Sequence, residues 1–241
     1  QLKEAAEPKV ARPLRIQRQQ TILALVNVFG AVGDLPVAIG HLEKLVEEAD
    51  DLGSEESPMT DVAGVGGLKP SSSSTTRRGA VPKLQLLALL GRIHIQVGDI
   101  QSAEATFNQM ETLIPPDTDD VSQQLMVHLN RGFLQLAHGD YEASLAEFTN
   151  VLKLDADNVV AANNCAVCHL FCERLSDAVA TLEDFVRGNP AAHLVQAVAA
   201  NLAALYQMVE GGAEMMQTLE KLVFATSADD FDTSVLQLGP S

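Results

Sequence analysis

Along most of this chain apolar residues recur with the 3.6-residue spacing of amphipathic helices, in pairs of segments that repeat every 34 residues. Gly139-Asp140-Tyr141 is followed 34 residues later by Glu173-Arg174-Leu175, and the flanking residues match in size at fixed offsets. With the turn glycine at position 15, the clearest unit runs from Leu125 to Asn158, with Gly132 at position 8, Ser144 at 20 and Phe148 at 24. The next starts at Val159 and places Ala166 at 8, Ala178 at 20, Leu182 at 24, Phe185 at 27 and Pro190 at 32. An earlier unit starts at Leu84, with Leu87, Leu90, Gly91, Gly98-Asp99-Ile100, Ala103, Phe107 and Pro115 in the same frame. A more degenerate unit begins near Gln19, with Ile22, Leu25, Gly33-Asp34-Leu35, Ala38 and Leu42.

A 34-residue helix–turn–helix period is the mark of the tetratricopeptide repeat. The fold class it predicts is all-α: a right-handed solenoid of such units, closed by a C-terminal capping helix pair. Small residues at positions 8 and 20 (Gly91/Ala103, Gly132/Ser144, Ala166/Ala178) let the two helices of a unit cross closely. Positions 4, 7, 11, 24 and 27 usually carry the larger core groups, with Arg131 at position 7 an exception. Gly at position 15 suits the left-handed conformation that ends a helix. Asp34, Asp99 and Asp140 then stand where a carboxylate can accept from free N–H groups of the second helix. One such pair cannot bury its own apolar face, so neighbours must stack.

The boundaries follow. Residues 1–18 read as a basic, solvated lead-in, with Lys3, Lys9, Arg12, Arg15 and Arg18 beside Pro8 and Pro13; residues 19–50 form the first, degenerate repeat. Residues 51–82 carry Glu55, Glu56, scattered Gly and Pro, a Ser71–Thr76 hydroxyl run and Arg77-Arg78. That composition predicts a disordered insertion, either a passive linker or a kinase target. Residues 83–228 hold the stacked repeats and cap, interrupted at Pro115–Asp120. The cap is expected as one helix from Ala192 to about Val209, a turn at Gly211-Gly212, and a second from Ala213 to about Ala225. In the tail, 229–241, the stretch Asp229–Leu238 suits one more short helix.

Composition narrows the function. Apolar residues make up 46% and aromatics 4%, with no Trp, which suits closely packed helices. Thirty-two acids against 16 bases give a net charge of −16, and nucleic-acid binding needs the opposite sign. No uncharged apolar run approaches the roughly 18 residues of a membrane span, and no signal peptide is visible. Starting at Gln1 rather than Met suggests a piece of a longer chain. Three cysteines within eight residues suggest no disulfide framework and a reducing compartment.

One stretch carries possible chemistry. Cys165-Ala166-Val167-Cys168-His169 has the spacing of covalent haem attachment, and Cys172 adds a further metal-ligating side chain on the same helix face. The repeat register argues otherwise. These residues fall at positions 7, 10, 11 and 14 of a first helix, and positions 7 and 11 are expected to face the core, as Leu25 and Leu90 do at position 7. Four ligands on one straight helix cannot wrap a tetrahedral ion, and free Cys packs as a small hydrophobe. No cofactor, metal or catalytic residue is therefore expected. His94, His128 and His193 have no carboxylate or nucleophile at motif spacing, and no phosphate-binding loop or nucleophile elbow is present. The chain reads as a non-enzyme.

Positions 2, 5, 9, 12 and 13 of each first helix line the concave wall of such a solenoid. They are Gln85, Ala88, Arg92, Ile95 and Gln96 in the second unit, Met126, Leu129, Phe133, Leu136 and Ala137 in the third, and Val160, Asn163, Val167, Leu170 and Phe171 in the fourth. The last two units thus offer an apolar stripe suited to an apolar helix or strand of a partner, or to a segment of the chain itself. Phe133→Glu is expected to abolish partner capture with helicity intact. Chaperone-tail clamps hold a peptide carboxylate with Lys, Arg and Asn; here the groove supplies Arg92, Asn27, Asn163 and Asn201 but no lysine. A generic peptide-binding adaptor of that type is nonetheless the second reading, and a haem- or metal-binding protein a distant third.

Gly91-Arg92-Ile93 with Gln96–Ala103, Leu154-Asp155 with Asn158, Val160–Cys168, Asn201-Leu202, Leu205-Tyr206 and the tail from Asp230 to Leu238 together resemble the C-terminal repeat region of the trafficking protein particle (TRAPP) complex subunit 12 family. The resemblance covers most of residues 84–238. It implies a non-catalytic scaffold in a vesicle-tethering complex of ER-to-Golgi traffic and autophagy. Its partners would be other subunits of that complex, and it would be cytoplasmic, held peripherally at ER–Golgi intermediate and Golgi membranes through the complex.

Overall fold

A computed structural model describes residues 11–49, 81–226 and 231–236. The described residues are helical with no strand, in two compact units divided between Thr118 and Asp119. The first unit holds α1 (Ala11–Val32), α2 (Leu35–Ala49), α3 (Lys83–Val97) and α4 (Ile100–Thr112), each packed on the next. The second holds α5 (Val121–His138), α6 (Tyr141–Leu154), α7 (Val159–Phe171), α8 (Leu175–Gly188), α9 (Pro190–His193), α10 (Gln196–Tyr206) and α11 (Gly212–Thr226). Each unit is therefore all-α, a solenoid stack of repeated helix pairs.

The repeat frame predicts the turns. Gly33, Gly98 and Gly139 have φ of 86°, 81° and 79°. The N–H of Gly139 reaches the carbonyl of Leu136 at 3.1 Å and that of Asp140 reaches Gln135 at 3.0 Å, which satisfies carbonyls left open at the end of α5. Asp99 and Asp140 cap the second helices, accepting from the N–H of Ser102 and Ala143, both at 3.0 Å. The fourth pair lacks both devices. Glu173 takes the left-handed conformation at φ 60°, and Arg174 makes no cap. Its guanidinium instead meets Glu142 of α6 at 2.7 Å.

Several boundaries differ from the sequence reading. α1 begins at Ala11, so the helix takes in part of the segment set as lead-in. Pro13 is compatible because it falls in the first turn, where its missing N–H would have had no partner. In that helix Val26 is buried and Leu25 exposed, the reverse of the expected position-7 burial. The frame slips there because Gln19, 2% exposed, is also held inward. Its amide donates to the carbonyl of Val81 at 3.1 Å and accepts from the N–H of Val81 at 2.8 Å. α5 starts at Val121, one turn ahead of Leu125, with Asp120 accepting from the N–H of Ser122 at 2.9 Å. Lys3, Lys9, the 51–80 stretch with its hydroxyl run, 227–230 and 237–241 lie outside the described residues.

The cap is not one continuous first helix. α9 closes after a single turn, Leu194 and Val195 leave the helical region, and α10 ends at Tyr206 rather than Val209. His193 explains the break. It is buried, its ring stacks on Phe185 at 3.9 Å, and its Nδ1 lies 2.6 Å from the carbonyl oxygen of Phe185. Holding the ring there turns the chain out of the helical path. Past the cap, Phe231 packs against the core and Leu236 is buried, on a single 3-10 turn (Thr233–Leu236) against α10. Among the described residues, the expected tail helix is that one turn.

Candidate functional site

The site is built on the first helices of the second unit. Three of the α5 stripe residues, Leu129, Phe133 and Leu136, are half-buried against a core of Phe148, Val151, Ala161, Cys165 and Cys168. Phe133 meets Phe148 edge-on, with centroids 5.4 Å apart and planes at 73°. Met126 is buried. These residues support α6 and α7 as much as they face outward. On α7, Leu170 packs into the next core and Val167 is half-buried. Val160 (39% exposed) and Phe171 (56% exposed) are the stripe residues that stay open. Arg92 lies in the first unit, with its Nε donating to the carbonyl of Ala88 at 3.2 Å, and is described there by itself.

Two features give the open part its shape. Phe171 stacks on Tyr141 of α6, with centroids 4.6 Å apart and planes at 12°. That fixes an exposed aromatic where a lone side chain would swing. Asn201 of α10 donates to Asn163 Oδ1 at 2.8 Å, which ties the face of the fourth pair to the fifth. Asn163 keeps its amide donors and Asn201 its carbonyl oxygen for another partner. Tyr141 was not among the sequence candidates. Its position 17 is a second-helix position, and only packing brings it to Phe171.

The cysteine cluster is core. Cys165 and Cys168 are buried and Cys172 is half-buried. Burial pushes the Cys165 thiol up to about 11 and raises Cys168 as well. Cys168 Sγ donates to Ser144 Oγ at 3.3 Å, and Ser144 Oγ donates to the carbonyl of Gly132 at 2.9 Å. That chain joins α7, α6 and α5 at the crossing the repeat frame predicts. Position 10, rather than position 11, is the deeper: His169 is only half-buried, with no hydrogen bond to Nδ1. Burial first, then Arg174, holds its imidazole below the usual range. Two other histidines do find carboxylates through the fold: His128 Nδ1 with Glu147 at 2.6 Å and His193 Nε2 with Asp157 at 3.1 Å. The first pair joins α5 to α6 and the second ties α9 to the turn between α6 and α7, with no nucleophile among these partners.

A tetratricopeptide-repeat family model matches residues 135–202, from α5 into α10. Trafficking protein particle complex subunit 12 of Mus musculus is 35% identical over 155 residues, which are 64% of this chain and 19% of the relative. The Homo sapiens protein of that name is 34% identical over 155 residues, 64% of this chain and 21% of the relative. The repeats are tetratricopeptide repeats, in a chain that resembles TRAPP subunit 12. The chain spans about a fifth of the length of these two relatives. Solved structures agree on the fold alone. A putative kinesin light chain of Podosopora anserina with nearly identical repeats superposes with TM-score 0.56 at 14% identity, covering 88% of this chain and 99% of the other. MamA from Desulfovibrio magneticus superposes with TM-score 0.51 at 13% identity, covering 87% and 97%. Among the described residues no helix is long and apolar enough to cross a membrane.

Proposed function

We propose that this chain is a non-catalytic scaffold within a TRAPP-type vesicle-tethering complex. Its second unit receives an apolar segment of a neighbouring subunit on the face of α5 and α7. The likeness to subunit 12 supports the complex; the repeat fold supports a binding role. The observation that carries the site is the stacked Tyr141–Phe171 pair, which leaves Phe171 56% exposed beside exposed Val160. A fixed, exposed aromatic is the type of anchor that dominates interfaces. In this reading the protein is held at ER–Golgi intermediate and Golgi membranes through its partners, and serves both traffic and autophagy. Tagged chain purified from cells tests it: TRAPP subunits are expected in stoichiometric amounts, and recovery of chaperones in their place would support the adaptor reading.

A further inference from the structure

A second surface of the second unit is lined by α8, α10 and α11. Between α8 and α11 opens a cleft of about 370 Å³. Leu202 and Tyr206 of α10 form its floor, and Val186, Met215, Leu219 and Leu222 its walls. Leu202, Leu219 and Val186 are buried residues of the core, so the floor is rigid and apolar. None of these residues belongs to the α5–α7 face. The volume is at the small end of ligand pockets, about 300 Å³ upward, and suits one or two apolar side chains.

The rim carries charge. Tyr206 donates its hydroxyl to Glu183 Oε1 at 3.0 Å, which orients the carboxylate over the cleft. Glu183 Oε2 is 3.9 Å from Arg187, whose guanidinium is engaged more closely by Asp184 at 2.5 Å. One carboxylate oxygen thus stands at the mouth without a hydrogen bond. Beyond Glu183 and Arg187 at the cleft, this half of the chain is acidic by composition: residues 119–241 hold 17 acids and five bases. Such a field draws a basic partner and repels an acidic one.

The walls decide the backbone of that partner. They are helices, and among the described residues there is no strand edge to pair with an extended segment. An extended chain would lose water from N–H and C=O groups that the apolar walls cannot satisfy. A helix satisfies its own. We propose that the α8–α11 cleft docks a basic amphipathic helix of a partner protein. A Leu, Met or Phe enters between Val186 and Leu219, and a Lys or Arg one turn away pairs with Glu183.

Two fluorescein-labelled synthetic helices with the same leucine stripe, one flanked by lysines and one by glutamates, test this by anisotropy against the full chain. The lysine helix is expected to bind at least about tenfold more tightly than the glutamate helix, a difference of about 1.4 kcal/mol. Glu183→Gln keeps an acceptor for Tyr206 and should remove most of that preference. Thr218→Trp fills the mouth from an exposed position and should abolish binding with an unchanged melting curve. Val160→Glu with Phe171→Glu should leave the lysine helix bound, which separates this site from the α5–α7 face. No binding of the lysine helix, equal binding of both helices, binding unaffected by both cleft variants, or loss only in the Val160/Phe171 variant would each overturn the proposal.

Discussion

Gly132 faces the ring of Phe148 so closely that an added Cβ would lie 2.8 Å from the ring Cε1. Gly91 stands to Phe107 in the same way, at 2.2 Å. In the fourth pair, Ala166 replaces the glycine and Leu182 the phenylalanine, and both are buried. Position 8 is small because position 24 is large. Gly132→Ala should cost about 1–3 kcal/mol by overpacking, and Phe148→Leu a comparable amount by leaving space. Together they reproduce the Ala166–Leu182 pairing, so the double variant should recover at least ~0.5 kcal/mol against the sum. Urea unfolding of the four chains measures this; strict additivity would contradict it.

Glu173 occupies the turn position that glycine fills in the earlier units, with φ of 60°. Left-handed backbone costs a side-chain-bearing residue about 1 kcal/mol, part of which glycine returns as unfolded-chain entropy. Glu173→Gly should therefore stabilise by about 0.5 kcal/mol, whereas Glu173→Ala should gain nothing. Equal effects in thermal melts would sink the strain argument.

Burial first, then the Arg174 charge, depresses the His169 imidazole below its ordinary 6.5, against weaker pulls from Asp177 and Glu142. The unfolded chain then takes up this proton before the folded one does. The contribution is fully present above about pH 6.5 and is lost as pH falls through the folded value. Histidine NMR should give a midpoint under 6.5 for this ring. His169→Gln should flatten the fall in stability on that side; a midpoint at or above the ordinary value would contradict the assignment.

With Cys165 pushed up to about 11 and Cys168 raised by burial, a thiol reagent at mildly alkaline pH should modify Cys172 first. The other two should react only at the rate of unfolding. Rapid modification of all three would remove the core reading of the cluster. Ser144→Ala, which ends the hydrogen bonds to Gly132 and Cys168, should cost about 1–2 kcal/mol.

The helices and their turns were legible because glycine and aspartate at fixed spacing act locally, through φ and capping. Gly98 with Asp99 and Gly139 with Asp140 show it. The break after His193 was not legible, since it depends on a ring stacked on Phe185 rather than on any helix breaker. Nor was the depth of α1, where Gln19 binds Val81 across 62 residues of sequence. At the candidate face periodicity marks an apolar stripe but cannot divide core from surface within it. Phe133 supports Phe148, so Phe133→Glu disturbs packing along with any binding. Val160 and Phe171 are the open positions.

Those two positions allow the most direct measurement. Tagged wild-type chain and the Val160→Glu/Phe171→Glu variant are purified from cells, and recovered TRAPP subunits are quantified by mass spectrometry, with circular dichroism confirming equal helicity. Loss of at least about tenfold in one or more subunits is expected, in line with the removal of an interface anchor of 1.4 kcal/mol or more. Undiminished recovery of every subunit by the variant would contradict a docking role for this face.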